Sequence, residues 1–205
     1  MNSSAKLNVA VCEYGAGNVR SVVVALQRLG VLVKATESPD LVLSADLAIL
    51  PGVGAAGSAM DGLRSRGLDS VLIERVNDNR PTLGICIGLQ LAVEYSEEDG
   101  GVDCLGILPG EARLISQGRV PRIGWSTVTP GAEAYYFAHS YAVKTSAATC
   151  YSEGFVAEAV KGSFVGVQFH PEKSGNSGSR FLQAQLERAV AWKNQNQTLS
   201  SAGMP

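Results

Sequence analysis

Short apolar segments alternate with helical patterns through the first half of the chain, and this alternation constrains the fold more than any other feature. The segments "LNVAVCEY", "VLVKAT", "DLAILPG" and "RPTLGIC" have the character of buried strands. Helical periodicity fills 19–29, with Asn18 as N-cap and Gly30 as stop, and also fills roughly 57–79. A shorter helix is expected over 88–95. Strands that alternate with helices predict an α/β fold, with a mostly parallel sheet flanked by helices.

The pattern changes between about 105 and 170, where several short strands follow one another with few helices. Antiparallel additions at one edge of the parallel sheet would account for them. The segment "GSRFLQAQLERAVAWKNQ" predicts a closing amphipathic helix. Without an internal repeat or linker, we expect one domain over 1–194, and the polar stretch 195–205 predicts a disordered tail.

Composition narrows the possible partners and compartments. The 205 residues carry a net charge of −2 and contain no Lys/Arg run, which argues against a nucleic-acid or membrane partner. No apolar stretch approaches the ~20 residues that cross a bilayer, and the N-terminus lacks a secretory pattern. The four cysteines are far apart, which argues against a zinc site or disulfides and favours a reducing, cytoplasmic location. We predict no metal and no cofactor.

Cys86 lies in "GICIG", where the fourth strand ends and a helix begins. A nucleophile on such a sharp turn needs small neighbours, and the glycines two residues before and after it satisfy that need. The amide of Ile87, at the N-terminus of the following helix, can donate to an oxyanion. The alternative is a buried core cysteine beside a strand end. The other three cysteines lack this context and are interpreted as structural.

A thiolate nucleophile needs a base, and the chain contains two histidines. His170, in "VQFHPEKS", is followed by Glu172, which can accept the ring N–H and fix the tautomer. The alternative is a strand-end histidine satisfied by a neighbour. For His139, in "FAHSYA", a structural or substrate-lining role is the better interpretation.

The Gly-rich segment "LPGVGAAG", at 50–57, follows a predicted parallel strand. Such a loop can offer backbone N–H groups to an anion, or it can be an ordinary strand–helix turn. A phosphate-binding P-loop is excluded, because no Gly-Lys-Ser/Thr sequence follows.

Taken in order, "PGVG", "GICIGLQ" and "VQFHPEKS" resemble the motifs of the class I (triad) glutamine amidotransferases, which have a flavodoxin-like fold. The resemblance spans most of the chain. The further segments "YGAGN", "VPRIGW" and "YYFAHSY" are similar to those of one branch, the glutaminase subunits of imidazole glycerol phosphate synthase in histidine biosynthesis.

The resemblance implies a role for each matching residue. Cys86 would attack the carboxamide of L-glutamine, His170 would transfer the proton, and Glu172 would orient His170. A thioester would form and water would release glutamate. The oxyanion donors would be the amides of Val53 and Ile87.

The resemblance also implies two sets of binding residues. One set would bind glutamine: Gly52, Gly54, Gln90, His139, Ser140 and Tyr141. The other would face a cyclase subunit with a (β/α)₈ barrel, which receives the ammonia in a heterodimer: Gly15, Gly17, Asn18, Tyr136 and Lys173.

Two residues depart from the branch pattern. Arg122 replaces a usual histidine and Ser126 a usual asparagine, and the stretch between Trp125 and Tyr135 is shorter than is common. These departures leave the predicted triad intact. Three alternatives remain: another class I glutaminase, a stand-alone cysteine amidohydrolase, or a non-catalytic regulatory subunit with this fold.

Overall fold

A seven-stranded sheet forms the centre of the molecule, in a computed structural model that describes residues 7–15 and 18–202. Five strands are parallel and two antiparallel strands extend one edge. In spatial order they are β2 (Leu32–Thr36), β1 (Asn8–Cys12), β3 (Leu47–Leu50), β4 (Thr82–Ile85), β13 (Phe164–Val167), β12 (Phe155–Lys161) and β11 (Ala148–Ser152). The predicted flavodoxin-like sheet with antiparallel additions is therefore confirmed.

Helices cover both faces of this sheet. One face packs against α1 (Val19–Gln27) and α6 (Gly175–Ala202). The other packs against α2 (Pro39–Ser44), α3 (Ala56–Arg64) and α4 (Leu68–Asn77). A single-turn helix, α5 (Ile87–Gln90), follows β4 directly.

Strand β1 shows why the sheet is buried on both faces. Val9 and Val11 belong to the apolar cluster beneath α1 and α6, whereas Ala10 and Cys12 belong to the cluster beneath α3 and α4. Successive side chains of a strand point to opposite faces, so a strand covered on both sides needs a continuous apolar run.

The segment between α5 and β11 leaves the central sheet and builds a smaller layer near the C-terminal end of β4. It contains a four-stranded sheet, in the order β10 (Tyr141–Lys144), β7 (Glu111–Leu114), β5 (Tyr95–Ser96) and β6 (Val102–Asp103). It also contains an antiparallel hairpin of β8 (Arg122–Val128) and β9 (Glu133–His139). The hairpin brings the end of β9 next to β10 and over the turn at Cys86.

Three helical elements differ from the sequence prediction. The helix expected over 57–79 is divided at Gly67, which has a left-handed φ of 67°. The helix expected over 88–95 ends at Gln90. Helix α2 was not predicted, although Ser38 accepts from the Leu41 amide as its N-cap and Pro39 occupies its first turn. These are common helix-start signals that a six-residue segment hides.

The end of the chain also differs from the prediction. Helix α6 continues to Ala202, so 195–202 is helical and not disordered; 203–205 lies outside the described residues. The polar residues there provide no helix stop, because the next glycine is Gly203 and the next proline is Pro205. None of the helices in the described ranges is long and apolar enough to cross a membrane.

Candidate active site

Cys86 lies on a strained turn between β4 and α5. Its backbone φ of 54° and ψ of −102° fall in a region that residues other than glycine rarely adopt. The Cys86 amide donates to the Val167 carbonyl at 2.7 Å, which ties the turn to the end of β13. Backbone strain of this kind persists only where the surroundings fix it, and it is concentrated at functional sites.

The glycines on either side of Cys86 allow three backbones to approach one another. A Cβ at Gly84 would lie 2.7 Å from the Gly88 carbonyl oxygen, and a Cβ at Gly88 would lie 2.2 Å from the Leu50 carbonyl oxygen. Any side chain at these positions would push β4, α5 and β3 apart. The glycines thus have the steric role that the sequence predicts for a nucleophile turn.

His170 and Glu172 form a buried pair next to this turn. The His170 Nδ1 atom lies 2.9 Å from Glu172 Oε1, and both side chains are only 1% exposed. The sequence predicts this pair because side chains two residues apart share a face of extended backbone, but the structure brings the two residues together in another way. His170 is extended, whereas Pro171 begins a 3₁₀ turn (Pro171–Lys173) that folds Glu172 back onto the ring.

The environment of His170 favours its protonated form. Burial lowers the pKa of His170, but hydrogen bonding to Cys86 and Glu172 and their negative charges outweigh burial, and the pKa rises to about 9. The Cys86 thiol therefore lies within interaction range of a ring that holds a proton near neutral pH. The structure brings the three predicted triad residues together.

A cavity of about 230 Å³ opens beside Cys86. Both predicted oxyanion residues and most of the predicted glutamine-binding residues line it. Its walls comprise Val53, Gly54, Cys86, Ile87, Gln90, Glu98, Pro121, Ile123, Ala138, His139, Ser140 and Tyr141. The volume suits an amino-acid-sized ligand. Gly52 lies just behind this wall, against Ile87.

The loop before α3 packs directly on the Cys86 turn. A Cβ at Gly52 would lie 1.4 Å from Ile87 Cγ2, and the Tyr14 hydroxyl donates to the Pro51 carbonyl at 2.5 Å. Gly54 has a left-handed φ of 111°, and Val53 is 39% exposed. The loop therefore places Val53 at the rim of the cavity, opposite the N-terminus of α5, where the first amides have no helical acceptor.

Gln90 connects the two sides of the cavity floor. Its Nε2 atom donates to the Tyr141 carbonyl at 2.8 Å and to Gln168 Oε1 at 3.2 Å. Gln168 Nε2 in turn lies 3.6 Å from the Cys86 Sγ atom. Gln168 was missed in the sequence, although it stands two residues before His170, where side chains of a strand share a face.

His139 lies in the opposite wall in a neutral form. Burial lowers the pKa of His139 to about 4; the bond to the Tyr141 carbonyl opposes the shift, and the Arg122 charge adds to it. The His139 Nδ1 atom lies 2.9 Å from the Tyr141 carbonyl oxygen, so it carries the proton. A neutral ring facing the cavity fits the substrate-lining role better than the role of base.

Glu98 is the carboxylate in the cavity wall, and no sequence motif indicates it. Its Oε2 atom accepts from the Ala56 amide at 2.8 Å, and the neighbouring Asp99 accepts from the Gly57 amide at 3.0 Å. These two side chains cap α3, whose own N-cap residue, Ala55, has no side-chain acceptor. Burial raises the pKa of Glu98, although the Ala56 amide counteracts part of this shift.

The predicted interface residues that the structure describes lie at the end of the sheet near the 3₁₀ turn that holds Glu172. Asn18 occupies the N-cap position of α1, but its Oδ1 atom accepts from the Ser21 hydroxyl at 2.7 Å rather than from a backbone amide. The 3₁₀ turn, which carries the exposed Lys173, contacts α1 and β9. Gly15 has a left-handed φ of 87°, and Gly17 lies outside the described residues.

Tyr136 connects this end of the sheet to the hairpin. Its amide donates to the Ser174 hydroxyl at 2.9 Å, and its carbonyl accepts from the His170 amide at 2.8 Å. Its ring meets that of Trp125, which is 59% exposed, edge-on at 6.3 Å. The exposed Trp125 ring therefore contacts Tyr136, the residue whose backbone carbonyl binds the His170 amide.

The model of the class I glutamine amidotransferase family matches residues 10–189. The chain belongs to the class I glutamine amidotransferases. It is 36% identical over 203 residues to the imidazole glycerol phosphate synthase subunit HisH of Dehalococcoides mccartyi, covering 90% of this chain and 99% of that one. The same subunit of Bacteroides fragilis is 40% identical over 199 residues, covering 88% and 100%.

A longer relative and the solved structures complete the comparison of this glutamine amidotransferase. The chloroplastic imidazole glycerol phosphate synthase hisHF of Arabidopsis thaliana is 40% identical over 203 residues, which span 87% of this chain and 34% of that protein. A crystal structure of a glutamine amidotransferase superposes with a TM-score of 0.75 at 20% identity, covering 88% of this chain and 98% of the other. The structural likeness supports the shared fold.

Proposed function

We propose that this glutamine amidotransferase is the glutaminase subunit of imidazole glycerol phosphate synthase in histidine biosynthesis. It hydrolyses L-glutamine to L-glutamate and passes the ammonia to a cyclase subunit. The observation that carries the proposal is the arrangement of Cys86, His170 and Glu172 beside a cavity of amino-acid size. The relatives that span almost the same length as this chain are subunits of that synthase.

The chemistry begins with proton transfer from Cys86 to His170. Because the pKa of His170 is raised to about 9, the ring keeps this proton near neutral pH and leaves a thiolate. The Cys86 Sγ atom attacks the carboxamide carbon, the C–N bond breaks, and His170 gives its proton to the departing ammonia. Glu172 holds the ring through Nδ1, so that Nε2 faces the reaction.

Water completes the reaction. His170, now neutral, accepts a proton from a water molecule that attacks the thioester carbon. The C–S bond breaks, the thiolate returns and glutamate leaves, so the balance is glutamine and water to glutamate and ammonia. The amides of Val53 and Ile87 stabilise the negative oxygen in both halves, and each such donor is worth roughly 10²–10³ in turnover.

The walls of the cavity provide recognition of glutamine. Gln90, the backbone of Ser140 and Tyr141, and Gly52 and Gly54 border the space on both sides of Cys86. We assign Glu98 to the α-ammonium group of the substrate. It is the carboxylate in the wall, and an opposite charge at that position offsets the cost of burying the ammonium.

The ammonia acceptor is a cyclase subunit with a (β/α)₈ barrel, which forms a heterodimer with this chain in the cytoplasm. Its docking residues would be Gly15, Gly17, Asn18, Tyr136 and Lys173, and the four of these that the structure describes lie at one end of the sheet. The Arabidopsis hisHF protein supports this pairing. This chain matches only 34% of that protein, so the matched part is joined to a longer second part in one polypeptide.

Ammonia rescue in the reconstituted complex tests the proposal. Cys86→Ala should abolish glutamine-dependent synthesis while synthesis from ammonium salts continues, because the cyclase site is intact. A Cys12→Ala variant is the matched control, since Cys12 is buried in the core away from the cavity. If Cys86→Ala retains glutaminase activity, the nucleophile assignment fails. A chain that hydrolyses glutamine or another amide but supplies no cyclase with ammonia would favour another glutaminase or a stand-alone amidohydrolase. A chain that hydrolyses no amide would favour a regulatory subunit.

A further inference from the structure

Arg122 and Ser126, the two residues that depart from the branch pattern, form one hydrogen-bonded unit. They stand four residues apart on β8, so their side chains share a face. Both donate to Glu153: Arg122 Nε to Oε2 at 3.2 Å, and Ser126 Oγ to Oε1 at 2.7 Å. Ser152 completes the unit by accepting from Arg122 Nη2 at 2.7 Å and donating to Ser126 at 3.0 Å.

The chain holds this unit in place with some backbone strain. Glu153 has a left-handed φ of 51° in the turn between β11 and β12, which points its carboxylate towards β8. The guanidinium of Arg122 lies over the ring of Phe137, with Cζ 4.2 Å from the ring centroid. Its side chain is only 11% exposed. Because a carboxylate, a hydroxyl and an aromatic ring all hold it, the Arg122 guanidinium has a single orientation.

That orientation directs one nitrogen at His139. Arg122 and His139 are paired across the β8–β9 hairpin, and Arg122 Nη1 lies 3.4 Å from His139 Nε2. Because the guanidinium can only donate, Nε2 must accept and the ring proton must lie on Nδ1. Nδ1 then donates to the Tyr141 carbonyl at 2.9 Å, the same oxygen that accepts from Gln90 at 2.8 Å.

We propose that Arg122 is a positioning residue for the glutamine site: its donor to His139 Nε2 holds the ring in the tautomer that the Tyr141 carbonyl selects, and thereby holds the Tyr141 carbonyl and the Gln90 side chain in place. The inference rests on the glutamine site proposed above. It assigns Arg122 to substrate binding rather than to proton transfer, because His139, Tyr141 and Gln90 form cavity wall, whereas His170 is held by Glu172.

Three variants and a control test this role in the complex with its cyclase. Arg122→Met removes the donor, Arg122→Lys keeps the charge with one donor, and Glu153→Gly removes the carboxylate at a position whose φ suits glycine. Arg119→Met is the control, because Arg119 is exposed beside the same strand. We expect Arg122→Met to raise the KM for glutamine roughly tenfold, the scale of one charge-assisted hydrogen bond, and to change kcat much less. Arg122→Lys should recover part of the loss.

The second readout is the tautomer of His139, measured by imidazole ¹⁵N NMR on the chain. The chain has only two histidines, and His139→Asn identifies which signals belong to which. In the native chain His139 should carry its proton on Nδ1. Arg122→Met should shift the Nε2 resonance of His139, because that nitrogen loses its donor, while iodoacetamide alkylation of Cys86 should keep its rate. The charged groups that face His139 are Arg122, His170 and, across the cavity, Glu98, so spectra are compared at one pH.

The outcomes are separable. If Arg122→Met matches Arg119→Met in both the KM and the His139 spectrum, the proposal is overturned. If Arg122→Met does not fold, Glu153→Gly decides: a smaller change in the same direction supports the role, and unchanged values reject it. The His139 spectrum does not depend on glutamine turnover. A Cys86→Ala variant that keeps glutaminase activity would reject the proposed glutaminase site and would leave this spectrum unaffected, so the two failures can be told apart.

Discussion

Gly52 lies so close to Ile87 that a single added carbon would overlap the isoleucine side chain, 1.4 Å from its Cγ2 atom. The two residues belong to different segments, Gly52 to the loop ahead of α3 and Ile87 to the first turn of α5. Their contact sets how closely that loop packs on the Cys86 turn, and thus how near Val53 and Ile87 come, the two residues whose amides we assign to the oxyanion hole. This contact leads to the first prediction.

Gly52→Ala should lower the glutaminase kcat of the complex by roughly 10²–10³, the effect of one lost oxyanion donor, because the new methyl group displaces the loop. Ile87→Ala in the same chain should restore part of the rate by making room for that methyl group. The measurement is steady-state turnover of both single variants and the double variant. Additive losses would show that the two positions are not coupled.

The flanking glycines of Cys86 should matter for stability. Gly88→Ala places a carbon 2.2 Å from the Leu50 carbonyl oxygen, and we expect it to reduce the free energy of unfolding by about 3 kcal/mol or more. Gly30→Ala, in open space with φ of 79°, should cost only the backbone strain, about 1–2 kcal/mol. Urea titration compares them, and equal losses would contradict a steric role for Gly88.

Thiol labelling should single out Cys86. Burial raises the pKa of Cys12 to about 12 and that of Cys104 to about 11, and it also raises the pKa of Cys150. These three thiols should therefore react slowly with iodoacetamide near neutral pH, whereas Cys86, next to protonated His170, should react quickly. Mass spectrometry of the labelled chain counts the sites, and His170→Asn should slow the reaction at Cys86. Uniform labelling of all four cysteines would show that Cys86 is not activated.

The two histidines should shape the pH dependence of stability in opposite ways. The pKa of His170 lies near 9, above the unfolded value of about 6.5, so its contribution is complete below pH 6.5 and is lost as pH rises through 9. The pKa of His139 lies near 4, so the unfolded chain binds a proton that the folded chain rejects, and stability falls as pH drops from 6.5 towards 4.

Denaturant titrations across pH 4–9 check this assignment. His170→Asn should flatten the alkaline side of the stability curve, and His139→Asn should flatten the acid side. An exchange of these two effects would mean that the environments of the rings are wrongly assigned.

The isolated chain should be a poor glutaminase that its cyclase partner and the partner's ligand activate. Val53 lies between two glycines, so the peptide between Gly52 and Val53 can reorient at low steric cost. Partner docking near Asn18 and Lys173 can select one orientation. Glutamine hydrolysis is measured for the chain alone, with partner, and with partner and ligand. Full activity of the chain alone would reject this latency.

The sequence predicted the parts of the site that local chemistry determines. The turn at Cys86 and the pair of His170 with Glu172 follow from spacing within a few residues, and so does the Gly-rich loop before α3. Glu98 could not be predicted in this way, because its place in the cavity wall depends on a second 3₁₀ turn, Glu98–Gly100, that docks onto α3, where the Ala56 amide is 42 residues earlier in the chain. Arg122 stood out in the sequence because it replaces a histidine that is usual in the branch, but its contacts with Glu153 and His139 exist only after β8, β9 and β11 assemble.

The order of strands in the sheet has a consequence for synthesis of the chain. β4 and β13 are neighbours, yet residues 86–163 lie between them in the chain, and the Cys86 amide is bonded to the last residue of β13. A nascent chain that has emerged only as far as α5 holds the Cys86 thiol without β13 beside it, without a base and without a closed cavity. By the proposed triad, residue 172 must leave the ribosome before the enzyme can cleave an amide, so fragments that end before Glu172 should release no ammonia.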